Sequence, residues 1–324
     1  EVAGLAEIVI FSIIFFAIGA AGIIGNFLVV YAIVCDRKMR ASVTNLLITN
    51  LALADLIIMV FGIPEIIQFM MNRGWILESL LCKANRFILV VSLYASVMTL
   101  VSICIERYVG IVHPIKAHIL CSRVRIALVV AFIWPLSIAA GTPTLLFNEM
   151  EEGGTGSKAR ITFSVKLCHI RFPSKPFHYF LVFKYLEFIL FYVLPLIIQI
   201  MLYAKVSRQL FTRSEKLRRI PHSDNKLSFF FFVFCCFRER ASDALLARKG
   251  VVKMLMMSVV VYFLSYSPQH VLLVYRTFKQ NDFHDMWTLN VFVSVIAYMN
   301  SAANPILYSI FSQNFRTNFR NVLC

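Results

Sequence analysis

Apolar residues fall in seven long blocks along this chain, and polar residues keep mostly to the stretches between them. Six blocks carry no charge: 8–35, 87–105, 126–148, 188–204, 254–275 and 286–315. A seventh, 41–72, is interrupted only by Asp55 and Glu65. Each block is near or above the ~20 residues a helix needs to cross ~30 Å of hydrocarbon. None shows the ~10-residue alternating segments of a membrane barrel. The pattern predicts an all-α membrane protein, a seven-transmembrane helix bundle forming a single domain over 1–324. Its spans are expected at about 8–34, 42–71, 79–112, 124–146, 178–210, 245–277 and 286–310 by the same length rule. Phe315, Phe319, Val322 and Leu323 then recur at helical spacing beside Arg316 and Arg320. They predict a short amphipathic helix on the membrane surface, helix 8, over about 312–323. No cleavable leader pattern precedes the first span.

Composition agrees, with 59% hydrophobic and 15% charged residues. Charge then sets orientation, because Lys and Arg favour the cytoplasmic side. If Glu1 is outside, the inner segments hold 21 of the 32 basic residues: three in 35–40, four in 107–125, twelve in 205–253 and two in 315–324. The expected N-terminus is therefore extracellular and the C-terminus cytoplasmic. The net charge of +15 is an inner-face signal that favours anionic lipid and cytosolic partners, not nucleic acid. Of eight cysteines, only Cys82 and Cys168 fall outside, which predicts one disulfide between them. The outer stretch Ile161–Cys168 roughly alternates and predicts one arm of a small hairpin. Leu227–Phe237, with four successive Phe and then Cys235 and Cys236, is too short to span. It is expected either to dip into the inner leaflet, with acylation, or to extend helix packing. Cys324 is a candidate palmitoylation site.

The informative positions are polar residues where lipid opposes them. A charge at mid-membrane costs at least ~2.5–3.5 kcal/mol on insertion scales. Asp55 sits there, and Ser96, Asn300, Ser301 and Asn304 are at matching depths in spans 3 and 7. One carboxylate with small polar partners suits a hard monovalent cation or a water cluster. Asp55 is thus the one candidate metal ligand, for Na⁺. Glu106-Arg107-Tyr108 ends span 3. Arg107 stays protonated and can be held by its acid neighbour in one state and by Tyr203 or Tyr308 in another. Pro195, Pro268 and Pro305 each free a backbone carbonyl and bend a helix. No metalloprotease, nucleophile-elbow or Walker pattern occurs, so no enzyme and no catalytic residue is expected.

Together these residues resemble a family, the class A (rhodopsin-like) G-protein-coupled receptors. The matching motifs are Gly25-Asn26, Leu51-Ala52-Leu53-Ala54-Asp55, Cys82, Glu106-Arg107-Tyr108, Trp134, Cys168, Pro195, Pro268 and Asn304-Pro305-Ile306-Leu307-Tyr308, in order and with family spacing. The resemblance covers essentially the whole chain. It implies that Asp55 is a sodium-site acid, that Arg107 is the G-protein switch, and that Val97, Pro195 and Tyr262 connect pocket to switch. It implies no cofactor beyond an allosteric Na⁺. Three positions depart from the pattern. Tyr266 stands in place of a Trp, Tyr262 in place of a Phe, and Arg248 where an acid often pairs with the helix 3 arginine. The last implies a weak lock between helices 3 and 6 and measurable basal signalling.

The amine branch carries an Asp where this chain has Leu89, and opsins carry a Lys where it has Tyr298. His113-Pro114-Ile115-Lys116-Ala117 and Ala297-Tyr298-Met299-Asn300-Ser301 look like the thyrotropin-releasing-hormone, neuromedin and orexin receptor neighbourhood. The resemblance therefore implies an extracellular neuropeptide ligand, a heterotrimeric G protein, arrestin and receptor kinase as partners, and the plasma membrane as location. A lipid or other small non-amine ligand is the nearest rival, and a seven-helix transporter a remote one. Candidate pocket residues are Glu65, Arg86, Leu89, Lys184, Glu187, Gln269, His270, Arg276, Asn290 and Tyr298. Glu65 and Glu187 suit a basic group, and Arg86, Lys184 or Arg276 a carboxylate or amidated end.

Overall fold

Each apolar block forms a helix, because in hydrocarbon a backbone must satisfy its own polar groups. A computed structural model describes residues 5–70, 75, 78–154, 164–172, 176–218, 228–278 and 287–323. Its helices are α1 (Leu5–Cys35), α2 (Val43–Met70), α3 (Ser79–Val112), α4 (Arg123–Phe147), α5, α6 (Ser228–Phe278), α7 (Trp287–Phe311) and α8 (Gln313–Leu323). Helix α5 comprises Pro176–Phe188, a π-helical turn at Ile189–Val193, and Leu194–Arg218. Short helical turns at Arg37–Ala41 and Pro114–Leu120 join α1 to α2 and α3 to α4. Seven of the helices are long and apolar enough to cross a membrane.

Helix α3 is the axis of the bundle. It packs on α2, α4, α5 and α6, while α6–α7, α1–α7, α1–α2 and α2–α7 contacts close the ring around it. One continuous core runs through the bundle, from Val29, Leu47 and Leu51 through Val97 and Ile103 to Tyr203, Leu255, Tyr262 and Tyr308. Lipid supplies no hydrophobic drive for helices to associate, so close packing and interhelical hydrogen bonds must hold them. Glycines allow the closest approaches. A Cβ on Gly25 would lie 2.7 Å from Pro305 Cβ, and one on Gly62 would collide with the Tyr298 ring.

Prolines explain two of the interhelical hydrogen bonds. Proline has no N–H for the carbonyl four residues earlier in its helix. For Pro305 that carbonyl belongs to Ser301, and Asn26 Nδ2 of α1 donates to it at 2.9 Å. For Pro195 it belongs to Phe191 in the π turn, and the Tyr262 hydroxyl of α6 donates to it at 2.6 Å. Such turns are rare and often mark functional sites.

Outside the bundle, β1 (Asn148–Gly154) pairs antiparallel with β2 (Ser164–Ile170), Met150 opposite Cys168. Expected strand residues 161–163 lie outside the described residues. Cys168 is disulfide-bonded to Cys82 in the first turn of α3, with Cα atoms 6.0 Å apart. Helix α8 turns Phe315 inward and leaves Arg316 and Arg320 exposed. Phe315 stacks on Tyr308 of α7 at 5.3 Å.

The largest departure from the expected spans is α6. It begins at Ser228 instead of near 245 and is 51 residues long, so the Phe-rich segment extends the helix. At ~1.5 Å per residue it measures about 77 Å, over twice the hydrocarbon thickness. The segment from Ser228 onward is part of that continuous helix. The side chains of Phe229–Phe237, Arg248 and Arg276 lie outside the described residues, as does Cys324 entirely.

Candidate functional site

The polar residues gather at three levels. At mid-bundle, Asp55 is fully buried in α2. Ser96 Oγ of α3 donates to its Oδ1 at 3.3 Å, and Asn304 Nδ2 of α7 to its Oδ2 at 2.8 Å. Asn300 and Ser301 are buried beside it. Ser301 Oγ faces the Asp55 carboxyl without closing a hydrogen bond of regular geometry. A carboxylate with hydroxyl and amide oxygens is the donor set a hard cation takes. The residues present therefore fit Na⁺. No cluster of three His, Cys, Asp or Glu suited to another metal occurs among the described residues. A second buried chain lies alongside. Trp134 Nε1 donates to Asn50 Oδ1 at 2.9 Å, and Asn50 Nδ2 to Thr99 Oγ1 at 2.8 Å, joining α4, α2 and α3.

At one end of the bundle, Glu106 is buried and grips Arg107 with two bonds, Nε–Oε2 at 2.5 Å and Nη2–Oε1 at 2.6 Å. Thr44 of α2 completes the arrangement. Its hydroxyl lies 3.2 Å from both Glu106 oxygens and accepts from Arg107 Nη2. Sequence reasoning missed Thr44, because a threonine in the first turn of a span looks like an ordinary helix start. Tyr203 and Tyr308 are buried nearby, and Arg107 is held by Glu106 and Thr44. Tyr108 points away, toward His113 Nε2 at 3.4 Å and under the Lys205 ammonium.

At the opposite end, four of the charged pocket candidates pair with one another. Arg86 Nη1 lies 2.8 Å from Glu65 Oε1, and Asn85 Nδ2 donates to Glu65 Oε2 at 3.1 Å. Lys184 Nζ lies 2.7 Å from Glu187 Oε2. Four of the charged candidates thus form two preformed pairs. They close because each acid has a base within reach on a neighbouring helix or one turn away. The pairs head two clusters. Tyr298 belongs with Glu65 and Arg86, its ring edge-on to Phe15 at 5.4 Å. His270 belongs with Lys184 and Glu187, packed on Tyr192 at 4.3 Å and Phe188 at 4.7 Å. Tyr94, unforeseen in the sequence, lies beside Glu187 and stacks on Phe191 at 3.7 Å. Leu89 and Asn290 are half-buried, and Gln269 is exposed. Tyr266 is buried against Tyr262, their ring centroids 5.1 Å apart, two positions before Pro268.

Comparison with known proteins accounts for this layout. The family model "7 transmembrane receptor (rhodopsin family)" matches residues 25–308. The chain is 36% identical over 315 residues to neuropeptide receptor 15 of Caenorhabditis elegans, covering 95% of this chain and 88% of that protein. It is 27% identical to galanin receptor 2a of Danio rerio, covering 98% and 78%. It is 29% identical to the human thyrotropin-releasing hormone receptor, covering 93% and 74%. A multi-pass bundle, a disulfide-stapled hairpin at one end and a buried acid gripping an arginine at the other together fit that match: the chain belongs to the rhodopsin family of seven-transmembrane receptors.

Proposed function

We propose that this receptor binds an extracellular peptide and, when occupied, activates a heterotrimeric G protein through outward movement of α6. The observation that carries the peptide is the relationship to neuropeptide receptor 15 over nearly the whole chain. The N-terminus then faces outside at the plasma membrane, and the basic inner segments face the cytosol.

In the closed arrangement Arg107 is occupied by Glu106 and Thr44. Val252 and Leu255 of α6 are buried in the core beside Ile103 and Tyr203. Peptide docking exchanges the Glu65–Arg86 and Lys184–Glu187 pairs for contacts with the ligand. It draws the outer ends of α5, α6 and α7 together. The inner half of α6 swings about Pro268, Arg107 turns toward Tyr203 and Tyr308, and the opened cleft accepts the C-terminal helix of a Gα subunit. A ligand achieves this only by binding the open state better than the closed one. Asp55, Ser96, Asn300, Ser301 and Asn304 would hold Na⁺, which supplies positive charge to a buried carboxylate and favours the closed packing. Arrestin and receptor kinase are further proposed inner-face partners, and Cys324 is a proposed acylation site.

The test is a Ca²⁺ and cAMP response screen in transfected cells against separate peptide and lipid libraries. Activation by a peptide, lost on Arg107→Ala with surface expression retained, supports the reading. Activation by lipid alone replaces it. Asp55→Asn should abolish Na⁺ sensitivity of basal nucleotide exchange, and retained sensitivity removes the Na⁺ assignment.

A further inference from the structure

The hydroxyl of Tyr262 is not explained by packing. Tyr262 is buried among the rings of Tyr192 and Tyr266, at 6.0 and 5.1 Å, where a phenylalanine would fill the same space. Its oxygen nevertheless reaches α5 and donates to the Phe191 carbonyl at 2.6 Å. That carbonyl needs a donor. Pro195 removes the N–H that would serve it in a regular α-helix, and buried carbonyls seldom remain unpaired. A second link crosses the same interface, Tyr192 to Ser267 at 2.6 Å. Ser267 already gives its one proton to the Phe263 carbonyl at 2.6 Å, so Tyr192 is the donor in that pair.

The two links differ in their place relative to Pro268. Ser267 adjoins the proline, so its bond sits at the pivot and moves little when α6 bends. Tyr262 lies six residues inward, about 9 Å along the helix. Its bond sits on the segment that swings. An outward tilt lengthens the Tyr262 contact and leaves the Tyr192 contact nearly in place.

We propose that the Tyr262 hydroxyl is a latch that holds the inner half of α6 against α5, and that it engages because Pro195 withholds from the Phe191 carbonyl the N–H that a regular α-helix would give it. Tyr262 is thus a positioning residue that acts through α6. The latch rests on the outward movement of α6 proposed above. In that movement, opening must break this bond, which sets part of the preference for the closed form.

The experiment uses the full chain in lipid nanodiscs without ligand, with a fluorinated phenylalanine in place of Met257, half-exposed on α6, as reporter. Tyr262→Phe should raise basal nucleotide exchange on Gα about fivefold, the factor that ~1 kcal/mol brings. It should also increase the fluorine signal that Gα induces in the wild type. Placing 4-aminophenylalanine at 262 restores a donor and should return both readings toward wild type. Pro195→Ala restores the N–H, so on that background Tyr262→Phe should add less than about twofold, because the carbonyl is again served within α5. Unchanged or reduced exchange in Tyr262→Phe overturns the latch, as do effects of the two substitutions that simply multiply. If the wild-type fluorine signal does not respond to Gα, the outward-movement reading fails instead, a result separate from the behaviour of Tyr262.

Discussion

Replacing Thr44 by valine removes one hydroxyl from the grip on Arg107 and keeps the side-chain shape. The wild-type hydroxyl accepts from Arg107 Nη2 and lies 3.2 Å from both Glu106 oxygens. The contacts to Glu106 are long and share one proton, so together they count as one weak bond. The contact to Arg107 is charge-assisted, and such bonds are worth ~1.5–3 kcal/mol in general. Two facts reduce that figure. The Arg107 side chain is 26% exposed, and interhelical hydrogen bonds in membranes average only ~0.6 kcal/mol in double-mutant cycles. A net loss of ~0.6–1.4 kcal/mol follows, a three- to tenfold change in the closed-to-open ratio. The lost contact belongs to the closed form, so the shift favours the open one. Basal nucleotide exchange in ligand-free membranes, normalised to surface receptor, should therefore rise three- to tenfold in Thr44→Val. Glu106→Gln should raise it further, because it removes the charge that holds the guanidinium. Basal exchange at or below wild type in Thr44→Val, with normal expression, would refute the view that this hydroxyl restrains Arg107.

Other outcomes follow from the same geometry. Asn26→Ala leaves the Ser301 carbonyl without its donor, at a cost of about 1–3 kcal/mol, and should lower the thermal midpoint in detergent; the loss should shrink on a Pro305→Ala background. Removing the Cys82–Cys168 bridge, which spans 86 residues, forfeits ~4–5 kcal/mol of loop-closure entropy on the chain model. Because the spans stay inserted in lipid, ligand binding should fail while helical circular dichroism persists. Asp36, outside the membrane spans, accepts from the Lys38 N–H at 2.7 Å, and that bond holds its carboxyl below the usual range. Its capping contribution should be present above the ordinary carboxylate pKa and disappear as pH falls through the lowered folded value, a dependence absent in Asp36→Asn when Lys38 amide exchange is followed.

Much of this receptor is legible in chain-local chemistry. Block length settles the number of spans, because hydrocarbon thickness sets a minimum helix. The position of a proline tells which carbonyl it orphans, since that relation is four residues along the same helix. Polar residues at matched depths in spans 2, 3 and 7 mark Asp55, Ser96, Asn300, Ser301 and Asn304 as candidate neighbours; in the fold Ser96, Ser301 and Asn304 face Asp55, and Asn300 lies against Tyr266. The apolar run after Leu227 is too short to span but equally compatible with helix, so its continuation of α6 is not written in hydropathy.

What only the tertiary structure decides is which partner each polar group finds. Pro195 and Pro305 announce unpaired carbonyls at Phe191 and Ser301, but α6 and α1 supply the donors, Tyr262 and Asn26. Arg107 announces a switch, but Thr44, 63 positions away, helps hold it. Glu65 and Arg86 look like two separate ligand contacts until α2 and α3 bring them within 2.8 Å. The reason is general. Helix formation in lipid is dictated residue by residue along the chain, whereas the pairing of buried polar groups depends on how helices rotate and approach, which packing alone determines.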